Sequence, residues 1–104
     1  MRQGEIWVNN QRAGTLTENE NGYIFKYYEA YLKQDDNRSV SLTLPLQKEP
    51  FHSENLFPFF DGLIPEGWLL DIAHKNWKIN PRDRMGLLLT TCRDCIGNIS
   101  VRSI

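Results

Sequence analysis

Apolar and polar residues alternate with a period of two along the first half of the chain, which is the pattern of half-buried β-strands. Four stretches follow it and predict strands: residues 5–8, 12–17, 23–28 and 39–44. In the last of these, Val40, Leu42 and Leu44 are expected to face a core while the Ser and Thr residues between them face solvent. Four predicted strands joined by short polar segments indicate an antiparallel sheet.

The segments between these strands carry turn signals. Asn9-Asn10 predicts a tight turn, since Asn tolerates positive φ, and Gly14 predicts a bulge in the second strand. Residues 18–22 predict a second polar turn, and residues 29–32 predict a short helical turn. Residues 45–56 show neither the strand period of two nor a helical period and are expected to be irregular.

The second half of the chain changes from strand to helix spacing. Residues 57–63 predict a helical turn, and a helix is expected from Pro65 to about Trp77. Another helix is expected to have Asn80 as its cap, Pro81 at its first position and Asp83 in its first turn. The apolar residues that this helix carries are Met85, Leu87, Leu88 and Leu89.

Ile99 and Val101 predict a last strand. The order of elements then predicts one α+β domain over residues 1–104, with a mostly antiparallel sheet of about five strands and two to three helices packed against it.

Charge and hydropathy exclude several kinds of partner. The 12 basic and 13 acidic residues leave no cationic excess for direct binding to nucleic acid. No apolar run approaches the roughly 20 residues that a membrane span needs, and no apolar signal segment follows Met1. We therefore expect a cytoplasmic protein with reduced cysteines.

Cys92 and Cys95 form a CxxC pair, which can bind a metal or form a redox disulfide. A closed zinc site needs four ligands, and only His52 and His74, both remote in sequence, could complete it. A redox pair normally opens a helix, whereas this pair follows one. Ordinary buried or half-buried thiols are the expected state, and a small thiol enzyme stays an alternative.

Other nucleotide and cofactor motifs are incomplete. Gly62 and Gly67 have the spacing of a phosphate-binding loop, but Trp68 and Leu69 stand where Lys and Ser or Thr must follow. We therefore expect no catalytic residue, no cofactor and no metal.

Residues 57–68 form the most unusual stretch, with three Phe and one Trp close together. Phe57 and at least one of Phe59 and Phe60 are expected in the core. Trp68 lies about 100° around the predicted helix from Leu69, and Trp is enriched at the centres of protein interfaces. Trp68 is therefore predicted to contact a partner.

Five segments of the chain together resemble the N-terminal domain of the HipA family of bacterial serine/threonine kinases. They are NQRAGTL at 10–16, SLTLPL at 41–46, FFDGLIPEG at 59–67, DRMGLL at 83–88 and DCIG at 94–97. The sequence departs from the family pattern at Cys92, where Gly is usual, and at Asn98, where Ala is usual.

In that family a kinase body follows this domain, whereas this sequence stops at Ile104. The resemblance therefore implies a tripartite toxin–antitoxin system, with a HipS-like antitoxin, a HipT-like kinase and a HipB-like helix-turn-helix protein that binds operator DNA. The kinase contact is predicted to include Phe59, Phe60, Asp61, Pro65, Glu66 and Trp68. An N-terminal structural or oligomer-forming domain of a full-length HipA is the other reading that the resemblance allows.

Overall fold

The computed structural model describes residues 2–64, 82–92 and 98–104. The strands are β1 (Arg2–Val8), β2 (Gln11–Asn19), β3 (Gly22–Tyr27), β4 (Phe51–Ser53) and β5 (Ile99–Ser103). The helices within these ranges are α1 (Glu29–Leu32), α2 (Pro58–Asp61) and α3 (Arg84–Thr91). The strands form one sheet in the order β4-β3-β2-β1-β5, and every neighbouring pair is antiparallel. The predicted α+β class and five-stranded sheet are confirmed.

One face of the sheet and the apolar sides of the helices share a single core. The period of two places one set of strand residues on that face: Ile6, Val8, Leu16, Phe25, Tyr27 and Val101. The helices cover this set with Phe60 from α2 and with Met85, Leu87 and Leu88 from α3. Because burying a large apolar side chain stabilises a fold by about 1.5–3 kcal/mol, this shared core holds helices and sheet together.

The β1–β2 hairpin follows the turn chemistry predicted for it. Asn9 and Asn10 have φ values of 51° and 65°, and a two-residue hairpin turn with positive φ at both positions matches the twist of the strands. Ile6 pairs with Gly14 and Trp7 pairs with Arg12, so Ala13 is the extra residue of a bulge. The predicted bulge therefore lies beside Gly14.

Gly14 is required because the backbone of its neighbouring strand β3 lies very close to it. A Cβ atom at this position would lie 2.3 Å from the backbone oxygen of Lys26. We expect Gly14→Ala to lower the free energy of unfolding by about 1–3 kcal/mol, since the β2–β3 pairing must open to admit the methyl group. Chemical denaturation measures this. Gly62→Ala, whose Cβ would lie 3.3 Å from its nearest backbone oxygen, is the control and should cost less; an equal or larger loss there would contradict the explanation.

The prediction of a strand over residues 39–44 is wrong. This segment is a tight turn in which the Leu44 N–H donates to the Ser41 carbonyl at 3.1 Å. Val40 and Leu44 are buried as expected, but Leu42 is 98% exposed. The Ser41 hydroxyl accepts a hydrogen bond from the Thr43 N–H at 3.2 Å, and such local side-chain bonds compete with strand pairing.

One further strand and the start of one helix differ from the predictions. β4 lies within residues 45–56, which were expected to be irregular. α3 begins at Arg84, and its N-cap is Asp83, whose carboxylate accepts from the Gly86 N–H at 3.2 Å. The predicted cap Asn80 and the predicted first helical residue Pro81 lie outside the described residues, as does the helix predicted over residues 65–77.

Arg2 connects the sheet to the start of α3. Its guanidinium donates two hydrogen bonds to Asp83, each 2.7 Å long, and one to Glu18, also 2.7 Å long. The bonds from Arg2 hold the pKa of Asp83 below its usual value. This interaction joins residues 81 positions apart in sequence.

The Arg2–Asp83 pair should make stability depend on pH. Since the pKa of Asp83 is lower in the folded protein than in the unfolded chain, its contribution is complete above the unfolded value of about 3.9 and is lost as pH falls through the folded value. We expect Arg2→Met to destabilise the protein at pH 7 more than at pH 2.5, measured by urea denaturation. Lys48→Met, on an exposed loop, is the control and should show no such difference. An equal effect of Arg2→Met at both pH values would contradict the role of the pair.

Candidate partner-binding site

The aromatic residues of α2 and of its N-cap position, Phe57, divide between core and surface. Phe57 and Phe60 are buried and Phe59 is half-buried, which confirms that Phe57 and one of the other two belong to the core. The Phe60 ring lies 5.3 Å from the rings of both Phe25 and Phe59. Because Phe60 has no solvent exposure, its ring belongs to the core, and the prediction that Phe59 or Phe60 braces Trp68 stays a prediction.

Asp61 is engaged within the chain. Its carboxylate accepts a hydrogen bond from Arg84 Nε at 2.6 Å, and both side chains are partly exposed. Exposed ion pairs of this kind stabilise a protein by only about 0.2–1 kcal/mol. The pair joins α2 to α3.

The remaining predicted contact residues, Pro65, Glu66 and Trp68, lie outside the described residues. Their role in binding stays a prediction from the sequence.

Leu42 is an exposed apolar residue that the sequence did not indicate. Two tyrosines anchor the segment that carries it. The Tyr27 hydroxyl accepts from the Val40 N–H at 3.0 Å and donates to the Leu44 carbonyl. The Tyr31 hydroxyl bonds the N–H and carbonyl of Arg38 at 3.0 and 2.6 Å. Leu42 is therefore presented on a backbone that is fixed on both sides.

The two tyrosine rings stack at 6.1 Å and lie within 5° of parallel. Burial raises the pKa of Tyr27 above its usual value, so its hydroxyl keeps its proton over the physiological range. A neutral hydroxyl can both donate and accept, as both bonds of Tyr27 require.

The positions of the cysteines and histidines are relevant to the alternative that the protein is a small thiol enzyme or binds a metal. Cys92 is buried, and its sulfur lies 3.2 Å from the Leu63 carbonyl oxygen. Cys95 and His74 lie outside the described residues. Among the residues that are described, no three His, Cys, Asp or Glu side chains converge as a metal site. The buried state expected for an ordinary thiol is confirmed for Cys92.

An open depression of about 870 Å³ lies at the β2–β3 turn. It is lined by Glu18, Asn19, Glu20, Asn21, Gly22, Tyr23 and Glu54. The Tyr23 hydroxyl donates to Glu18 at 3.2 Å. These side chains are carboxylates, amides and a phenol, and they include neither a nucleophile with an adjacent base nor a cationic group for phosphate.

Within residues 2–64, 82–92 and 98–104, no helix is long and apolar enough to cross a membrane.

The fold is that of a small α+β domain. The sequence matches the family model of the HipA N-terminal domain over residues 4–102, and the chain belongs to this family. A solved structure of the N-terminal domain of HipA toxin superposes with a TM-score of 0.74 at 28% identity, over 100% of this chain and 93% of that one. The predicted resemblance is confirmed.

Two relatives contain the domain in different settings. An uncharacterised protein of Haemophilus influenzae is 30% identical over 102 residues, which are 98% of this chain and 92% of that protein. A Sinorhizobium fredii protein named "Putative kinase Y4mE" is 37% identical over 84 residues. The match covers 80% of this chain but only 20% of Y4mE.

Proposed function

We propose that this protein is a HipS-like antitoxin, which has no catalytic activity and inhibits a separate HipT-like serine/threonine kinase. The observation that carries the proposal is the pair of settings in which the domain occurs. It makes up 92% of the Haemophilus protein and 20% of the protein named as a kinase. If the domain packs against the kinase body within such a longer chain, the same surface suits a kinase that is a separate chain.

Inhibition can follow from docking alone. Kinases assemble the phosphate-gripping loop, Mg²⁺ and catalytic groups as their lobes close. A protein that binds the open arrangement more tightly by about 3 kcal/mol shifts that equilibrium more than a hundredfold. The proposed contact consists of Phe59, braced by Phe60, together with Trp68, while Asp61, Pro65 and Glu66 form its rim.

The proposal is tested by co-expression with the HipT-like kinase of the same genome, with growth as the readout. The wild-type protein should restore growth, and Trp68→Ala should fold normally by circular dichroism yet fail to restore it. Lys48→Ala is the matched control and should restore growth fully. Failure of the wild-type protein to restore growth, or full rescue by Trp68→Ala, would contradict the inhibitor and the contact, respectively.

In a complete toxin–antitoxin complex, contact with operator DNA is assigned to a HipB-like helix-turn-helix protein. This chain has a net charge of −1 and supplies no general cationic field. In a mobility-shift assay at physiological salt, we expect it to shift operator DNA only when the HipB-like protein is present. A shift by this chain alone would contradict that assignment.

A structural domain of a longer HipA-type kinase is the second candidate, and the 20% coverage of Y4mE favours it. The two differ in the size of the native protein. An immunoblot of the source cells would show a band near 12.2 kDa for the antitoxin and a several-fold larger band for the kinase domain.

A further inference from the structure

The outward face of the sheet carries an aromatic ring between two cationic side chains. Because Ile6 and Val8 point inward, Trp7 points outward. The Arg102 guanidinium lies 4.3 Å from the centre of the Trp7 ring, and that of Arg12 lies 5.6 Å from it. Arg12 and Arg102 belong to the two strands that flank β1, so the antiparallel register brings them to one ring.

The charges on this face are unbalanced. Arg12, Arg102 and Lys26 are exposed, and the Arg12 side chain is 68% accessible. Glu5 is the carboxylate among them, and one of its oxygens accepts a hydrogen bond from Tyr28 at 2.7 Å. Its other oxygen lies 3.9 Å from Arg12 Nε, beyond a hydrogen bond. Although the whole chain is slightly acidic, this face has a local positive excess.

Trp7 also carries a hydrogen-bond donor that the described residues leave without an acceptor. The indole N–H of Trp7 is shielded from solvent and has no acceptor among the described residues. A buried donor without a partner costs about 1–3 kcal/mol, and a carboxylate reaches this one only when the side chains that cover it move. The guanidinium groups of Arg12 and Arg102 lie beside the same ring on exposed side chains, and Arg binds planar carboxylates with paired hydrogen bonds.

We propose that Trp7, Arg12 and Arg102 form a binding site for the carboxylate side chains of an acidic segment of a partner protein. The Trp7 ring supplies apolar contact area, and the two guanidinium groups supply positive charge and directional hydrogen bonds. Lys26 adds to the attraction from the same face. The site lies on the face of the sheet opposite to the core that holds Phe60 of α2.

The test follows the Trp7 indole resonance of ¹⁵N-labelled protein by NMR, assigned with Trp7→Phe, during titration with a hexaglutamate peptide. We expect a saturable shift and a dissociation constant that rises about fivefold in Arg12→Gln and in Arg102→Gln. Arg38→Gln removes the same charge from an exposed loop and should leave the constant unchanged. Lys26 touches no ring in the described contacts, and Lys26→Gln should weaken binding about twofold. This variant replaces the arginine variants in the test if either of them is unfolded at the temperature of the titration.

Three outcomes would overturn the site. The first is the absence of a Trp7 shift at millimolar peptide. The second is equal weakening by Arg38→Gln, which would mean unspecific attraction. The third is tighter binding of a six-nucleotide oligothymidine at the same resonance, which would assign the face to single-stranded nucleic acid, where aromatic rings and Arg also combine.

Discussion

Replacing Phe60 with alanine is expected to lower the free energy of unfolding by about 3–5 kcal/mol, the usual cost of removing a fully buried Phe ring. Phe60 has no solvent exposure and lies against the Phe25, Phe57 and Phe59 rings. Its loss would leave a cavity at the point where α2 meets the sheet. For a domain of this size, the melting temperature should fall by at least about 10 °C.

The neighbouring ring provides the control. Phe59 is half-buried, so Phe59→Ala should lower the free energy of unfolding by less than Phe60→Ala does. It should also weaken binding to the kinase. Calorimetric melting measures the first effect, and titration of the kinase measures the second. A larger stability loss for Phe59→Ala than for Phe60→Ala would contradict the division of α2 into a core residue and a surface residue.

The local parts of the fold were predictable because they depend on neighbouring residues. Asn9-Asn10 specifies its own turn, and the alternation around Ile6 and Val8 specifies which side of β1 is buried. β4 was missed because three residues, Phe51–Ser53, are too few to show a period. Its strand character comes from pairing with β3, in which Phe51 lies opposite Phe25.

The long-range features could not be read from spacing. Arg2 meets Asp83 and Trp7 meets Arg102 only because the sheet brings distant segments together. The sequence marked Phe59 and Phe60 as a pair, but which of them faces the core depends on the angle at which α2 packs. The family resemblance covers this segment but does not decide that angle.

The strand predicted over residues 39–44 failed for a reason that can be measured. Its alternation places Val40 and Leu44 in the core, and a tight turn satisfies the same requirement when a buried group can bond the backbone at both ends. The Tyr27 hydroxyl is that group. The sequence gives no sign of it, since Tyr27 lies in a different element 13 residues before Val40.

We therefore expect Tyr27→Phe to destabilise the protein by roughly 2–4 kcal/mol, since it leaves the Val40 N–H and the Leu44 carbonyl unpaired and each such buried group costs about 1–3 kcal/mol. Urea denaturation measures the loss, and faster hydrogen exchange of the Val40 amide would locate it in the turn. Tyr31→Phe is the matched control: its hydroxyl bonds Arg38, which is exposed, so water can replace it and the loss should be smaller. Equal losses in the two variants, or unchanged exchange at Val40 in Tyr27→Phe, would mean that the turn is held by its own Ser41 and Thr43 bonds rather than by Tyr27.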